Sequence, residues 1–424
     1  MTNLFRCRKI ARLFVGGNNR LLLSCYGRTF SSKQVGRDAL KLIKEGLDQK
    51  DDMKFLPLHL EKCLFKQSFS SAVIKFDKFC VDENGIYQTP DYAGSTITPV
   101  VSFQSFFERG YSLLRRFVTE GLNEDDDEGT RLALLSLLQF LTRKGYHESC
   151  LKSQNTDWPY EKLEATEAYS AVLLTIHLLS QLVTGNDYII SSDYSFKPFF
   201  CPCSKDCGKR VNYGPTGLGF EKIWYGRPDI VLLSSSSNVV FCERMLEEDS
   251  KELDLVSEEF TMIEEIEKSE IIEQTVNSRH SDQQIVSQTI TSSVYQFNKS
   301  NLTLVPSLLM TPSSFSIFCY DPVNDVLLRS RQTGSLWNTE NAYEFNMSAI
   351  LKIWMVVNHA IFKPSINENH LKLLRNSSNF HNLLAAEGLS MKEMSEKIQF
   401  KSHFKNTDYK WDSKRINNVE LELQ

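Results

Sequence analysis

The chain has 424 residues, a formal net charge of −5 and an apolar content of 41%. This length and composition are sufficient for a sizeable core and for more than one domain. The net charge excludes a generally basic nucleic-acid-binding protein, and ten cysteines in a chain of this length do not indicate a disulfide scaffold. No apolar run reaches the roughly 18 residues of a membrane span, so we expect a soluble protein without one.

The N-terminal segment, residues 1–37, contains eight Arg or Lys and no Asp or Glu. On a helical wheel, Leu4–Phe14 has one apolar side and one basic side. A basic amphipathic helix without acids, followed by a serine-containing segment, is typical of a mitochondrial transit peptide. We therefore expect a mitochondrial protein; the alternative is a basic tail or nucleic-acid-binding arm on a nuclear or cytoplasmic protein.

Residues 38–155 are predicted to form a mostly helical region. Apolar residues recur at helical spacing in Val100–Phe117 and in Leu132–Leu141. The acidic run Glu124–Glu128 separates these two helices, and it is interpreted as solvated surface because consecutive acids usually are.

A second region, residues 156–363, has the pattern of a mixed helix and strand core. A broad apolar stripe predicts a long helix over 159–184, and His177 lies within that stripe as an expected core residue. The predicted elements that follow are strands at Tyr188–Ile190, Ile230–Leu233 and Asn238–Phe241, a helix at Ile285–Phe297, strands at Leu302–Leu309, Phe315–Tyr320 and Val326–Leu328, and a helix at Met347–Phe362. Residues 364–424 are polar and are predicted to be a loosely attached tail.

Three cysteines lie close together in a loop between the first two of these strands. Cys201, Cys203 and Cys207 could supply three thiolates to a tetrahedral Zn²⁺ site. The spacing is not that of a zinc ribbon, and the sequence shows no adjacent fourth ligand. The fourth ligand would have to be His147, Cys150 or Cys242, and the alternative is a plain loop of reduced cysteines.

Two acids lie at the ends of neighbouring predicted strands. Asp229 begins the strand at Ile230, and Glu243 follows the strand that ends at Phe241. Carboxylates on rigid backbone are suitable ligands for Mg²⁺ and leave coordination positions for water and a phosphate. The alternative roles are a turn-capping residue for Asp229 and the start of an acidic segment for Glu243.

The order helix, strand, strand with Asp, strand with Glu, helix, strand resembles the core of the PD-(D/E)xK nuclease superfamily. Pro228-Asp229 matches the first motif of that superfamily. The resemblance implies that Asp229 and Glu243 bind Mg²⁺ or Mn²⁺, with an acid of the preceding helix, Glu164 or Glu167, joining them. It also implies a catalytic role for Gln288 in the following helix, which is otherwise a surface residue.

The chain departs from this superfamily at one position. Met245 stands where the motif has a lysine, two residues after the second acid. The arrangement also resembles a family of uncharacterised invertebrate proteins, in which the second acid follows the insert. In that register Ser269–Glu273 is the motif strand, Glu273 is the ligand, and Thr275 takes the place of lysine.

Residues 243–273 form an acidic insert with thirteen acids and three bases. Such a segment repels phosphate, and it is interpreted as a solvated helical or disordered excursion from a surface loop; the alternative is an acidic gate or a site for a protein partner. The order of predicted elements and the resemblance together imply an α/β fold class of the α+β type, a restriction-endonuclease-like core of a small mixed sheet flanked by helices, with an N-terminal helical region. The expected function is a metal-dependent nuclease acting on DNA or RNA; the alternative is an inactive nuclease-like protein with a binding or regulatory role.

Overall fold

The computed structural model has an α+β fold in which helices flank a large mixed sheet, as the sequence predicts. It describes residues 32–49, 53–76, 80–81, 87–88, 100–121, 123, 125–152, 163–194, 197–233, 237–241, 265–338 and 344–401. Leu4–Phe14, Glu243 and most of the acidic insert lie outside these ranges.

The helices of the described residues are short or medium in length, with one exception. They span Ser32–Asp48, Phe103–Phe106, Glu108–Glu120, Glu128–Thr142, Lys144–Lys152, Leu163–Leu174, Ser180–Leu182, Glu265–Ser300, Met347–Val357, His359–Phe362, Glu368–Leu374, Phe380–Ala386 and Met391–Lys397. A 3-10 turn covers Phe69–Ser71, and a π-helical turn covers Thr175–Leu179. In these helices, no segment is both long and apolar enough to cross a bilayer.

The strands are numbered in chain order. They are β1 Lys54–Pro57, β2 Leu60–Leu64, β3 Gln67–Ser68, β4 Val73–Phe76, β5 Cys80–Val81, β6 Tyr87–Gln88, β7 Val101–Ser102, β8 Tyr188–Ser191, β9 Tyr213–Gly214, β10 Leu218–Gly219, β11 Trp224–Gly226, β12 Ile230–Leu232, β13 Ser237–Phe241, β14 Val305–Met310, β15 Ser314–Asp321, β16 Val326–Ser330, β17 Gly334–Ser335 and β18 Gln399–Phe400.

The large sheet has the order β7-β1-β16-β15-β14-β13-β12-β8-β9, and β17 also pairs with β15. β8, β12 and β13 form an antiparallel meander. β13 and β14 are parallel, which requires a crossover connection, and Glu265–Ser300 provides it as a helix. β15 then returns antiparallel to β14. The predicted order of helix, three strands, helix and strand is therefore confirmed for this part of the sheet.

The crossover helix, Glu265–Ser300, packs on the sheet through one apolar face. Ile285, Val286, Ile290 and Val294 are fully buried and share a hydrophobic cluster with residues of β14, β15 and β16. Burial of each such side chain contributes about 1.5–3 kcal/mol, so this face fixes the helix against the sheet. The alternative register, with a strand at Ser269–Glu273, is wrong because these residues lie within the helix.

The N-terminal region differs from the prediction of a mostly helical segment. Its two expected helices are present, at Phe103–Glu120 with a break at Phe107 and at Glu128–Thr142. However, β1 pairs with β16 in the large sheet, and β2 and β4 form a hairpin. A four-residue strand whose partner lies far along the chain carries too little local periodicity to be predicted.

The predicted loose tail is wrong for the described residues up to 401. Three short helices occupy this segment, and β18 pairs with β10. Leu374, Phe380, Leu384 and Met394 are buried, and the Phe380 ring stacks on Trp224 at a centroid distance of 5.6 Å. Each helix has only seven residues, so its apolar positions are too few to outweigh a polar composition.

His359 is fully buried, and burial lowers its pKa to about 4 from the ordinary value of 6.5. The unfolded chain therefore binds a proton between these two pH values and the folded protein does not. The folded protein therefore loses stability as the pH falls from about 6.5 to about 4. The loss from this group amounts to about 3 kcal/mol, and it does not increase further below pH 4. At neutral pH the group is neutral in both states.

This contribution is measured by urea unfolding at pH 7 and pH 4.5 for the wild type and for His359→Gln. We expect the variant to lose about 2–3 kcal/mol less than the wild type on acidification. All other titrating groups are shared by the two proteins and cancel in the comparison. Equal losses would show that His359 does not titrate in this range.

Candidate metal centre

The three cysteines of the predicted zinc loop lie in a narrow two-stranded finger between β8 and β9. We call Phe199–Val211 the cysteine finger. Phe200 and Arg210 form an antiparallel bridge, and the Val211 amide donates to the Phe199 carbonyl at 3.0 Å. These cross-strand bonds fix the base of the finger.

Turn residues close the tip of the finger. The Asp206 amide donates to the Cys203 carbonyl at 3.0 Å, and Gly208 has a φ of +64°, a conformation that glycine adopts without strain. The Cys207 amide donates to the Cys203 sulfur at 3.4 Å. The turn thus brings the sulfur atoms of Cys203 and Cys207 to the same side.

The fourth residue of the site comes from the helix that precedes β8. The π-helical turn Thr175–Leu179 has His177 at its centre, and π turns within α-helices are frequent at functional sites. The Gln181 side chain donates to the Ile176 carbonyl at 2.9 Å, so this carbonyl of the π turn is hydrogen-bonded. His177 is fully buried.

His177, Cys201, Cys203 and Cys207 bring one ligand atom each into a group whose members all lie within 4.8 Å of one another. His177 Nε2 lies 3.2 Å from the Cys201 sulfur. In tetrahedral Zn²⁺ sites, Zn–S bonds of about 2.3 Å and Zn–N bonds of about 2.0 Å place ligand atoms roughly 3.3–3.8 Å apart. The donor set of three sulfurs and one nitrogen is therefore that of a Zn²⁺ site, and separations of up to 4.8 Å require the ligand atoms to close by up to about 1 Å around the ion.

The net pKa shifts of the three thiols differ in direction. Burial raises the pKa of Cys201 and of Cys207 above the usual value. In Cys203, burial also raises the pKa, but hydrogen bonds from the backbone and side chain of Cys207 and from the Lys205 backbone outweigh it, and the pKa is lowered. Three thiolates this close would repel one another strongly in a buried site unless a cation neutralised them.

Both histidines at the site are neutral at physiological pH, as metal ligation requires of His177. Burial lowers the pKa of His177 to about 4, and burial with the neighbouring His177 lowers that of His147 to about 3. His147 Nδ1 lies 3.3 Å from His177 Nδ1. With His177 Nε2 directed at the cluster, its Nδ1–H donates to His147 Nδ1 and fixes the ring orientation.

His147 is held in place by its own helix, Lys144–Lys152. Glu148 pairs with Lys144 at 2.8 Å and accepts from the Phe345 amide at 2.7 Å. The Phe140 ring stacks on His147 at 5.3 Å. These contacts fix the His147 ring, and His147 in turn fixes the orientation of the His177 ring.

The sequence identified the three cysteines but not their partner. His147 and Cys150, two of the three residues considered as the fourth ligand, lie beside the cluster but outside the group of four, and Cys242 lies outside the described residues. His177 was interpreted as a core histidine because it lies in an apolar stripe. The histidine is buried, as predicted, but its ring contacts the Cys201 sulfur.

We expect His147→Ala to weaken zinc binding about 10–100-fold, because a ligand histidine loses its orienting acceptor. The measurement is competition with a chromophoric chelator. His147→Gln, whose side chain retains an acceptor, is expected to recover part of the affinity. Equal zinc affinity in the wild type and His147→Ala would exclude the orienting role.

The second candidate site lies at the start of β12. Asp229 is half-buried and directly precedes Ile230, and its carbonyl accepts from the Ser191 amide at 2.8 Å. The buried Arg227 guanidinium contacts Asp193 and the Ser192 hydroxyl. Asp193 and Ser192 are thus two of the partners of Arg227.

The half-buried Tyr194 has a buried hydroxyl that is influenced by two carboxylates. Burial raises the pKa of Tyr194 well above its usual value, and the negative charges of Asp229 and Glu167 raise it further. Both carboxylates are therefore close enough to act on the same hydroxyl. Among the described residues, the Tyr194 hydroxyl is buried without a hydrogen-bond partner. Glu167, one of the two acids considered from the preceding helix, thus acts on the same hydroxyl as Asp229.

The other residues predicted for the magnesium site are only partly described. Glu164 lies in the helix Leu163–Leu174 and Glu273 in the crossover helix. Glu243 lies outside the described residues. Gln288 is fully buried, so its interpretation as a surface residue is wrong, and neither its Oε1 nor its Nε2 has a partner within the described part of the chain.

Comparison with known proteins finds no matching protein family, no matching curated protein and no matching solved structure.

Proposed function

We propose that this chain binds one Zn²⁺ through His177, Cys201, Cys203 and Cys207, and that the zinc fixes the cysteine finger to the core. The observation that carries the proposal is the convergence of the four ligand atoms within 4.8 Å. Four protein ligands complete a tetrahedral site and leave no position for substrate, which is the pattern of structural zinc. The zinc centre therefore stabilises the fold and does not perform catalysis.

The test is metal analysis of the purified full-length protein, followed by exchange of the metal for Co²⁺. We expect one zinc per chain and, after exchange, an absorption spectrum with thiolate-to-cobalt charge transfer and tetrahedral d–d bands. Cys203→Ser should reduce the zinc content to background. A protein that contains no zinc and binds no Co²⁺ would refute the proposal.

A second candidate function is metal-dependent hydrolysis of DNA or RNA at the start of β12. It is supported by the order of elements around the meander β8, β12 and β13 and the crossover to β14, with Asp229 at the start of the second of these strands. This is the position that the resemblance to PD-(D/E)xK nucleases implies for the first metal ligand. The charges of Asp229 and Glu167 both act on the Tyr194 hydroxyl, which supports a second carboxylate near Asp229.

In this second proposal, Asp229 and Glu243 would hold Mg²⁺ or Mn²⁺, with Glu167 or Glu164 as a further acid. The metal would lower the pKa of a bound water and offset the charge that develops on the phosphate. Gln288 would provide a buried donor and acceptor, since both its polar atoms lack partners in the described residues. A transit peptide in residues 1–37 would direct the activity to mitochondrial nucleic acid.

Met245 favours the alternative in which the nuclease-like core binds without cutting. A thioether cannot orient or activate water as the lysine of the motif does, and neither register supplies that lysine. In that case the acidic insert is available for a protein partner. Hydrolysis assays with Mg²⁺ and Mn²⁺ on single- and double-stranded substrates separate the two alternatives.

A further inference from the structure

The cysteine finger carries two exposed aromatic rings in succession. Phe199 is 75% exposed and Phe200 is 60% exposed. Successive residues of a strand point to opposite faces, so exposure of both rings means that the finger is open to solvent on both sides. Exposed phenylalanines are costly in water, and adjacent ones suggest a binding role.

The same segment is basic in an acidic protein. Residues 197–210 contain four basic residues and one acid, whereas the whole chain has a net charge of −5. Lys197, Lys205, Lys209 and Arg210 are exposed. Throughout the described ranges, no carboxylate forms an ion pair with any of these four side chains. Their positive charge is therefore accessible to an anionic ligand.

The backbone places rings and charges on one small rigid unit. Phe200 and Arg210 face each other across the antiparallel bridge, and the Cys201 amide donates to the Lys209 carbonyl at 2.8 Å. Cys201 itself is buried and directed to the metal cluster. Along this strand the thiol faces inward and the preceding ring faces outward, so metal binding and ring presentation depend on the same geometry.

We infer that the cysteine finger binds single-stranded nucleic acid. Bases stack on Phe199 and Phe200, and backbone phosphates contact the surrounding lysines and Arg210. Base stacking on an aromatic side chain contributes about 1–3 kcal/mol, and phosphate contacts add a salt-dependent component. In a duplex the bases are already stacked on one another and cannot lie on the rings. Lysine is depleted in protein–protein interfaces, so the basic surroundings favour nucleic acid over a protein partner.

The inference rests on the proposed zinc centre, because the zinc holds the finger in shape. The finger and Asp229 also flank β8 on the same sheet. Asn212, next to the finger, donates to the Tyr188 carbonyl at the beginning of β8, and Asp229 accepts from Ser191 at its end. The finger and Asp229 therefore lie at opposite ends of the four-residue strand β8, roughly 10 Å apart along it.

The experiment is fluorescence anisotropy with labelled oligo-uridine and oligo-thymidine, single-stranded and annealed to a complementary strand, using the full-length zinc-loaded protein. We expect the Phe199→Ala/Phe200→Ala double variant to bind single strands at least about 10-fold more weakly, given the energy of two stacked bases. The Lys197→Gln/Lys205→Gln variant should reduce the slope of log affinity against log salt by about one per lost phosphate contact.

Matched controls lie on a helix that is not part of the finger. Leu373 is 64% exposed and Lys372 is exposed, both in the helix Glu368–Leu374, and Leu373→Ala and Lys372→Gln should leave oligonucleotide binding unchanged. Zinc content is measured for every variant. Because the phenylalanines are not metal ligands, the double variant should retain one zinc per chain.

Several outcomes would overturn the inference. These are wild-type affinity in the double phenylalanine variant, equal affinity for duplex and single strand, or a zinc-loaded wild type that binds anionic vesicles or a protein but no oligonucleotide. A protein without zinc would instead refute the zinc proposal on which the inference depends. The two failures are distinguished by metal analysis of the same samples.

Discussion

Replacement of Cys203 by serine is expected to abolish stoichiometric zinc binding and to lower the free energy of unfolding by about 4 kcal/mol. A metal that binds only the folded state stabilises it by about 4 kcal/mol when free zinc is 1,000 times the dissociation constant. Cys203 is chosen because it is buried in the group of four and accepts a hydrogen bond from the Cys207 amide. The measurement is urea unfolding at fixed free zinc, combined with metal analysis.

Cys63→Ala is the matched control, because this free cysteine lies in β2 and is not part of the metal group. It should retain zinc and its zinc-dependent increment of stability. A chelator should also remove the difference in stability between wild type and Cys203→Ser. If the two proteins differ equally with and without chelator, the loss arises from packing and not from the metal.

In the metal-free protein, we expect the cysteine finger to open more readily than the large sheet unfolds. The amides of Cys201 and Val211 are hydrogen-bonded across the finger, so their hydrogen exchange reports on its closure. The large sheet has its own hydrophobic core, which contains few residues of the finger. We therefore expect fast exchange in the finger of the metal-free protein and retained protection in β14 and β15.

Local pattern was sufficient to predict much of this fold. Strands β8, β12 and β13 and the helix 159–184 were predicted within a few residues of their observed bounds, because apolar period and flanking turn residues are read within short windows. The pairing of β1 with β16 was not predicted, since it joins positions more than 250 residues apart and depends on tertiary packing.

The zinc site was likewise predicted in its local part and not in its long-range part. Three cysteines within seven residues are visible in the sequence, whereas the fourth ligand comes from a helix 24 residues earlier than Cys201. A histidine in an apolar stripe gives no sign of which segment covers it. Only the packing of the cysteine finger on the π turn brings His177 Nε2 to the sulfur atoms. Gln288 was predicted to be a surface residue because a polar residue on a helix usually is. The crossover helix is buried on several sides, and this depends on tertiary packing.

If the second proposal holds, Asp229→Ala should reduce Mg²⁺- or Mn²⁺-dependent hydrolysis of nucleic acid by at least about 1,000-fold. This corresponds to a loss of about 4 kcal/mol of transition-state stabilisation, which is within the range expected when a metal ligand is removed. The carboxylate follows a buried arginine and proline at the start of a strand, so its position is set by rigid backbone. The assay compares rates on single-stranded DNA and RNA over a series of metal concentrations.

Asp187→Ala is the matched control for this assay. Asp187 is an exposed acid at the opposite end of β8, where its carbonyl accepts from the Leu233 amide at 3.0 Å. Its removal changes the charge of the protein by the same amount and should leave the rate unchanged. Hydrolysis that survives Asp229→Ala would exclude β12 as the reaction site. Metal-dependent hydrolysis in neither the wild type nor Asp187→Ala, with oligonucleotide binding intact, would instead identify a binding protein whose core lacks the lysine of the motif.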